Sequence, residues 1–238
     1  MMDRELKNRL ADAFHAPEPE KKESFIKNLR PREIGMPEMI ITQIPYIRLP
    51  IWLFSLLTAA VAMGGAVLGM EDTEFLITVL MPFNAAIAVF EAHRSKRYGM
   101  SELEMATRFS LRCVVFARLV ILGIVSGIVL ATASPVIAAS FGRSTLLTAI
   151  RILIPYLITM MISLIIERSS LGRTHGYASF VIAGASLALM TWVYNCAPVI
   201  LAGYEEFISV WGLPAVIILL AMTFAEQWKT VKNVEAFA

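Results

Sequence analysis

The side chains of this chain that could do chemistry inside a membrane are two arginines and two asparagines within long apolar runs. Arg118 and Arg151 lie six and seven residues into their runs, which at a rise of about 1.5 Å per residue is a depth of roughly 9–10 Å. An arginine at that depth is costly and by default indicates a ligand pathway or a charge that holds a helix bundle together. The alternative is that each guanidinium extends to the nearer headgroups. Asn84 and Asn195 indicate a polar interior more weakly.

Enzymatic motifs are incomplete in this sequence. Residues 141–149 (FGRSTLLTA) end like a phosphate-binding loop, but Ile137 and Arg143 stand where that motif requires Gly and Lys. The three histidines fall in polar segments, so Ser186 has no base inside the membrane to activate it. We therefore expect neither a nucleotide site nor a catalytic site on this chain.

A charged segment separates two apolar runs in the middle of the chain. Residues 90–113 (FEAHRSKRYGMSELEMATRFSLRC) carry five Lys or Arg, three Glu and one His. Gly99 interrupts the preceding helix, and Ser101 with Glu104 forms a Ser-x-x-Glu capping box that starts a new one. The segment predicts a short amphipathic helix at the membrane surface. The alternative is a solvated loop that only enforces orientation.

The apolar runs predict the helices that hold these side chains in place. The chain has 238 residues, of which 57% are hydrophobic and 17% charged, whereas soluble domains have about 25% charged residues. The runs are about 20 residues long, enough to cross a bilayer as a helix. We predict an all-α integral membrane protein with six spans, at residues 50–70, 74–91, 112–134, 145–166, 177–201 and 210–228.

The basic residues predict the orientation of these spans. Of the 21 Lys and Arg residues, 18 lie in the N-terminal segment, the second and fourth loops and the C-terminal tail. Since cytoplasmic loops are enriched in Lys and Arg, both termini are predicted to be cytoplasmic. Cys113 and Cys196 then lie near opposite faces, too far apart for a disulfide.

The chain is predicted to divide at residue 48, into a cytoplasmic segment (1–48) and a transmembrane domain (49–238). Apolar residues at helical spacing in the first 36 residues predict two short amphipathic helices, which suit a membrane surface or a partner. Residues 37–49 predict an interfacial elbow interrupted by Pro45. Pro155 predicts a kink, and a candidate hinge, in span four.

Six spans with cytoplasmic termini, an elbow and a charged helix after span two resemble the permease subunit of type-2 ABC exporters. In that family the helix after span two docks on the ATPase subunit, and its counterpart here begins with Glu91, Arg94, Gly99 and Leu103–Glu104. The resemblance implies that residues 202–214 form an outer segment dipping into the membrane, although Gly203, Gly212 and Pro214 equally fit a turn. The partner-binding residues it implies are Gly99, Ser101, Glu102, Leu103, Glu104, Met105, Arg108 and Phe109.

The resemblance implies a permease in the plasma membrane that works with a separate ATPase and a second copy or related permease. This chain would bind no cofactor or nucleic acid, with ATP and Mg²⁺ on the ATPase. A membrane regulator that holds a cytoplasmic partner through its N-terminal segment is the alternative. An ion-coupled carrier is less favoured because no carboxylate is expected deep in a span.

Overall fold

The chain is helical throughout the parts that the computed structural model describes, which are residues 36–94, 111–169, 177–196 and 198–233. No strand occurs in these ranges. A 3-10 turn at Ile44–Tyr46 separates the first two α-helices. In chain order the α-helices are α1 (Met36–Gln43), α2 (Leu49–Val67), α3 (Thr73–Ala92), α4 (Leu111–Phe141), α5 (Thr145–Arg168), α6 (Ala178–Cys196) and α7 (Pro198–Asn233).

Helices α2 to α7 each contain a stretch long and apolar enough to cross a membrane. These six helices confirm the predicted all-α fold with six spans, and they fit a multi-pass membrane protein. The stretches that meet this criterion are Leu49–Val67, Thr73–Ala92, Cys113–Phe141, Thr145–Arg168, Ala178–Cys196 and Gly203–Lys232.

The prediction for residues 202–214 was wrong. They form neither a broken element nor a turn, because α7 is one helix from Pro198 to Asn233. Pro214 costs only a local hydrogen bond inside it. Gly212 serves packing, since a Cβ at that position would lie 2.9 Å from Cγ2 of Ile150 on α5.

Helices α3 and α5 form the centre of the bundle. They pack on each other, α4 and α7 flank α5, and α2 packs on α3 and α4. Over the apolar stretches 61% of α3 and 56% of α5 are buried, but only 11% of α6. The largest fully buried side chains include Ile77, Met81, Leu119, Ile137, Ile152 and Leu164.

Two prolines accompany the break before the first long helix. Pro45 lies in the 3-10 turn, and Pro50 occupies the first turn of α2, where its missing N–H costs nothing. The buried Ile47 between them packs with Ile51 and Trp52. The interruption predicted at Pro45 is therefore present, while the position of this segment at a membrane surface stays a prediction.

Several predictions fall outside the described residues. They include the two amphipathic helices predicted before residue 36 and the part of the coupling helix that contains Gly99, Ser101, Glu102, Leu103, Glu104, Met105, Arg108 and Phe109. Its first two counterparts are described: Glu91 lies in the last turn of α3 and Arg94 just after it. The division of the chain at residue 48 also stays a prediction. The helices from α2 onward belong to one compact unit, Pro37–Ala238.

Candidate functional site

Four charged side chains form a network at one end of the bundle, where α3, α5 and α7 begin and α2, α4 and α6 end. Arg143, in the loop after α4, donates to Oε2 of Glu74 at the start of α3. Arg151 on α5 donates from Nη1 to Oε1 of Glu74 at 3.1 Å, and its Nη2 lies 3.5 Å from Oε1 of Glu205 on α7. We call these four residues the Glu74 network and this end of the bundle the Glu74 end.

A tight helix end places Glu74. Gly69 follows α2 with a φ of +65°, a conformation that favours glycine. The N–H of Met70 donates to the carbonyl of Gly65 at 3.0 Å, and the N–H of Gly69 donates to that of Ala66 at 3.2 Å, which is the Schellman pattern. The chain therefore reverses within five residues, and Glu74 falls in the first turn of α3.

A second glycine places Arg143. Gly142 ends α4 with a φ of +62°, and the N–H of Arg143 donates to the carbonyl of Ala138 at 2.9 Å. Arg143 is thereby directed back over the end of the bundle towards Glu74. Arg151 approaches the same carboxylate from inside, about two turns into α5.

Burial divides the network into a fixed and a loose part. The Glu74 side chain is 9% exposed and lies between two guanidinium groups. Glu205 is 54% exposed and pairs with one of them, at a longer distance of 3.5 Å. A carboxylate in the first turn of a helix is also favoured by the helix dipole. The Glu74 pairs are therefore the strong contacts, and Glu205 is the partner that can move.

A cavity of about 380 Å³ lies beside the Glu74 network. Its volume falls in the range of small-molecule sites, roughly 300–1,000 Å³. Helices α3, α5, α6 and α7, the turn before α3 and the loop after α4 all contribute to its walls. The lining residues are Glu71, Glu74, Phe75, Thr78, Arg143, Arg151, Leu189, Met190, Val193, Tyr194, Tyr204 and Glu205.

Aromatic side chains form part of the cavity wall. Phe75 stacks on Tyr194 with ring centroids 4.4 Å apart, and the hydroxyl of Tyr194 donates to Oδ1 of Asp72 at 3.0 Å. These contacts hold the end of α6 against the start of α3. The hydroxyl of Tyr204 is enclosed and has no hydrogen-bond partner among the described residues.

A smaller cavity of about 250 Å³ borders the same network. Arg143, Arg151 and Glu205 line both cavities, and Ser144 and Thr148 at the start of α5 add hydroxyl groups to the smaller one. The charged side chains therefore lie between two spaces. Movement of Arg151 or Glu205 would alter both.

The predicted intramembrane arginines have different surroundings. Arg151 belongs to the Glu74 network, where it pairs α5 with α3 and α7. Arg118 on α4 is buried, with 7% of the residue exposed. It lies towards the opposite end of the bundle, away from the cavity lining.

The two predicted asparagines also differ. Asn84 is buried on α3, where Ser55 of α2 donates to its Oδ1 at 3.2 Å and its Nδ2 donates to Oγ1 of Thr58 at 3.1 Å. It therefore joins α2 to α3 through a buried polar contact. Asn195 is exposed and donates to the Thr191 carbonyl of its own helix.

The predicted hinge at Pro155 lies at a buried position of α5, which continues as one helix from Thr145 to Arg168. Pro82 stands at a comparable position in α3. Both central helices thus lack one backbone hydrogen bond near their middle. Bending at Pro155 stays a prediction.

Glu74 and Glu205 were not among the predicted site residues. Glu74 is the first residue of predicted span two, and Glu205 falls in the outer segment predicted for residues 202–214. The available signal was the charge of Arg151 itself, because an intramembrane arginine normally has an acidic partner. That signal indicates an acidic partner for Arg151 near the same end of the bundle.

The opposite end of the bundle carries separate ion pairs. Glu91 accepts from Arg94 at 3.0 Å at the end of α3. Arg168 of α5 lies 3.2 Å from Glu226 of α7, which also accepts from Lys229 at 2.7 Å. The Arg168–Glu226 pair joins α5 to α7 at this end, as the Arg151–Glu205 pair does at the other.

No protein-family model, curated protein or solved structure matches this chain. The site is therefore interpreted from its own geometry. Within the described ranges no group of three or more His, Cys, Asp or Glu side chains is placed to hold a metal ion. The cavity presents ion pairs, aromatic rings and an apolar wall, which together suit binding of an organic molecule.

Proposed function

We propose that this chain is the membrane-spanning permease subunit of an ATP-driven transporter of the ABC type, working as an exporter. The observation that supports the proposal is the cavity beside the Glu74 network. A helix bundle that only anchors a partner gains little from charges inside its apolar part, because each must be paired to offset its desolvation. A pathway for polar or charged molecules requires such groups.

The distribution of Lys and Arg supports an orientation for this pathway. With 18 of 21 basic residues on the side of the termini, the Glu74 end faces outward and the Glu91–Arg94 end faces the cytoplasm. The plasma membrane is the proposed location. The Glu74 network would then close the outer end of the pathway.

The proposed mechanism couples the two ends through α3 and α4. A separate ATPase carrying ATP and Mg²⁺ would press on residues 99–112, which connect these helices. Glu74 begins α3 and Arg143 follows α4, so rocking of the two helices would pull on the ion pair that joins them. Its separation would open the cavity outward, with bending at Pro155 or Pro82.

A second copy or a related permease would complete the pathway. The apolar stretches of α2 and α7 are each only 22% buried, and that of α6 only 11%. These surfaces are available to lipid and to another permease. The transporter would thus contain two permeases and its ATPase subunits in a lipid bilayer.

Co-purification tests whether this chain binds a separate ATPase. We expect an ATPase encoded beside this chain to co-purify with it, and the complex to be lost when Glu102, Glu104 and Arg108 all carry reversed charges. A variant lacking residues 1–36 separates this function from that of a regulator. The permease keeps its ATPase after the deletion, whereas a regulator that binds through this segment loses its partner.

A further inference from the structure

The cavity beside the Glu74 network has more acidic than basic residues in its lining. Glu71, Glu74 and Glu205 oppose Arg143 and Arg151, so the lining has a formal charge of −1. Both guanidinium groups are engaged by Glu74, and Glu71 makes no ion pair among the described residues. The carboxylates available to a ligand are therefore those of Glu71 and Glu205, since Glu205 is 54% exposed and held by a 3.5 Å pair with Arg151.

The rest of the lining suits an apolar body that carries an amine. Leu189, Met190 and Val193 supply an apolar wall on α6. The stacked rings of Phe75 and Tyr194 and the ring of Tyr204 are surfaces over which a cation is attracted.

We propose that this cavity binds an amphipathic organic amine in its protonated form. The ammonium group would pair with Glu71 and Glu205, while the apolar body would lie against α6. When Glu205 turns to the ligand, Arg151 keeps Glu74 as its partner, so no guanidinium is left unpaired. The inference rests on the proposed function in treating the cavity as the outer end of the substrate pathway.

Three matched probes test the charge preference. The purified full chain in lipid nanodiscs is titrated with 4-phenylbutylamine, 4-phenyl-1-butanol and 4-phenylbutyrate, and Kd is measured by ligand-observed NMR against empty nanodiscs. The probes share one apolar body and differ in charge. We expect the amine to bind about tenfold more tightly than either of the others. Equal binding of all three, or tighter binding of the carboxylate, overturns the inference.

Substitutions test whether the amine binds in this cavity. Glu71→Gln and Glu205→Gln should each weaken amine binding about fivefold and leave alcohol binding unchanged. Glu206→Gln is the matched control, because Glu206 is exposed and does not line the cavity. If it weakens binding as much as Glu205→Gln, the amine responds to general surface charge and the site is wrong.

The binding test is independent of the ATPase. Amine binding without any co-purifying ATPase would leave this inference standing and remove the proposed transporter. An ATPase complex that fails to bind the amine would remove this inference alone.

Discussion

At the scale of residues, Glu74 is the side chain on which the candidate site depends. Its two carboxylate oxygens accept from Arg143 in the loop after α4 and from Arg151 on α5, both far from Glu74 in sequence. Among the described residues neither arginine has an equally close second carboxylate, since Glu205 stands 3.5 Å from Arg151. One substitution therefore leaves two guanidinium groups facing each other.

Glu74→Gln tests this role. The neutral amide cannot balance two guanidinium groups, so we expect the free energy of unfolding to fall by about 2–3 kcal/mol. This is less than for a fully buried pair because Arg143 is half exposed. The measurement is equilibrium unfolding by sodium dodecyl sulfate in mixed micelles. Glu205→Gln is the matched control, with an expected loss below about 1 kcal/mol; equal losses would contradict the ranking.

Of the Arg151–Glu74 pair, only the arginine could be predicted from the sequence. Arg151 was identified because a charge within an apolar run is costly wherever the chain folds. Its partner could not be chosen, since Glu71, Asp72, Glu74 and Glu205 are all predicted near the same end. The choice depends on the Gly69 and Gly142 turns, which orient Glu74 and Arg143 over the bundle.

At the scale of elements, the close approach of α2 and α3 depends on one glycine. A Cβ at Gly65 would lie 2.5 Å from Oγ1 and 2.8 Å from Cγ2 of Thr73, the first residue of α3. Thr73 is fully buried, and its hydroxyl donates to the carbonyl of Met70 at 2.6 Å. It has little room to move, and it directly precedes Glu74.

Gly65→Ala should therefore destabilise the bundle by about 1–3 kcal/mol, the usual cost of overpacking. Gly64→Ala is the control, because no atom would lie within 4 Å of its Cβ. It should be neutral or stabilise by up to about 1 kcal/mol through helix propensity. Both are measured by thermal unfolding in the same detergent. Equal effects of the two substitutions would show that this contact is not tight.

The elements themselves were largely predictable, and the error at residues 202–214 has a physical reason. Mean hydropathy locates apolar helices because every backbone group in a bilayer must be hydrogen-bonded within its own segment. Gly203, Gly212 and Pro214 suggested a break by the rules that hold for water-exposed chains. Against α5, Gly212 instead fills a position too narrow for a side chain.

At the scale of the whole molecule, the orientation of the Glu74 end decides which side the cavity opens to. The two cysteines report on it, because Cys196 is exposed at the Glu74 end and Cys113 is half buried near the other. We expect a membrane-impermeant maleimide to label intact cells at Cys196. Labelling should be lost in Cys196→Ser and kept in Cys113→Ser, and the reverse result would invert the proposed topology.

The central claim, that a separate ATPase drives this chain through residues 99–112, is tested most directly by ATP hydrolysis. The complex with the ATPase is reconstituted in liposomes, and its turnover is compared for the unchanged chain and for a variant with reversed charges at Glu102, Glu104 and Arg108. We predict that the unchanged chain stimulates turnover and the variant does not, with Lys232→Glu, an exposed charge outside the segment, as the control. Equal stimulation by the unchanged chain and the reversed-charge variant would contradict the coupling role.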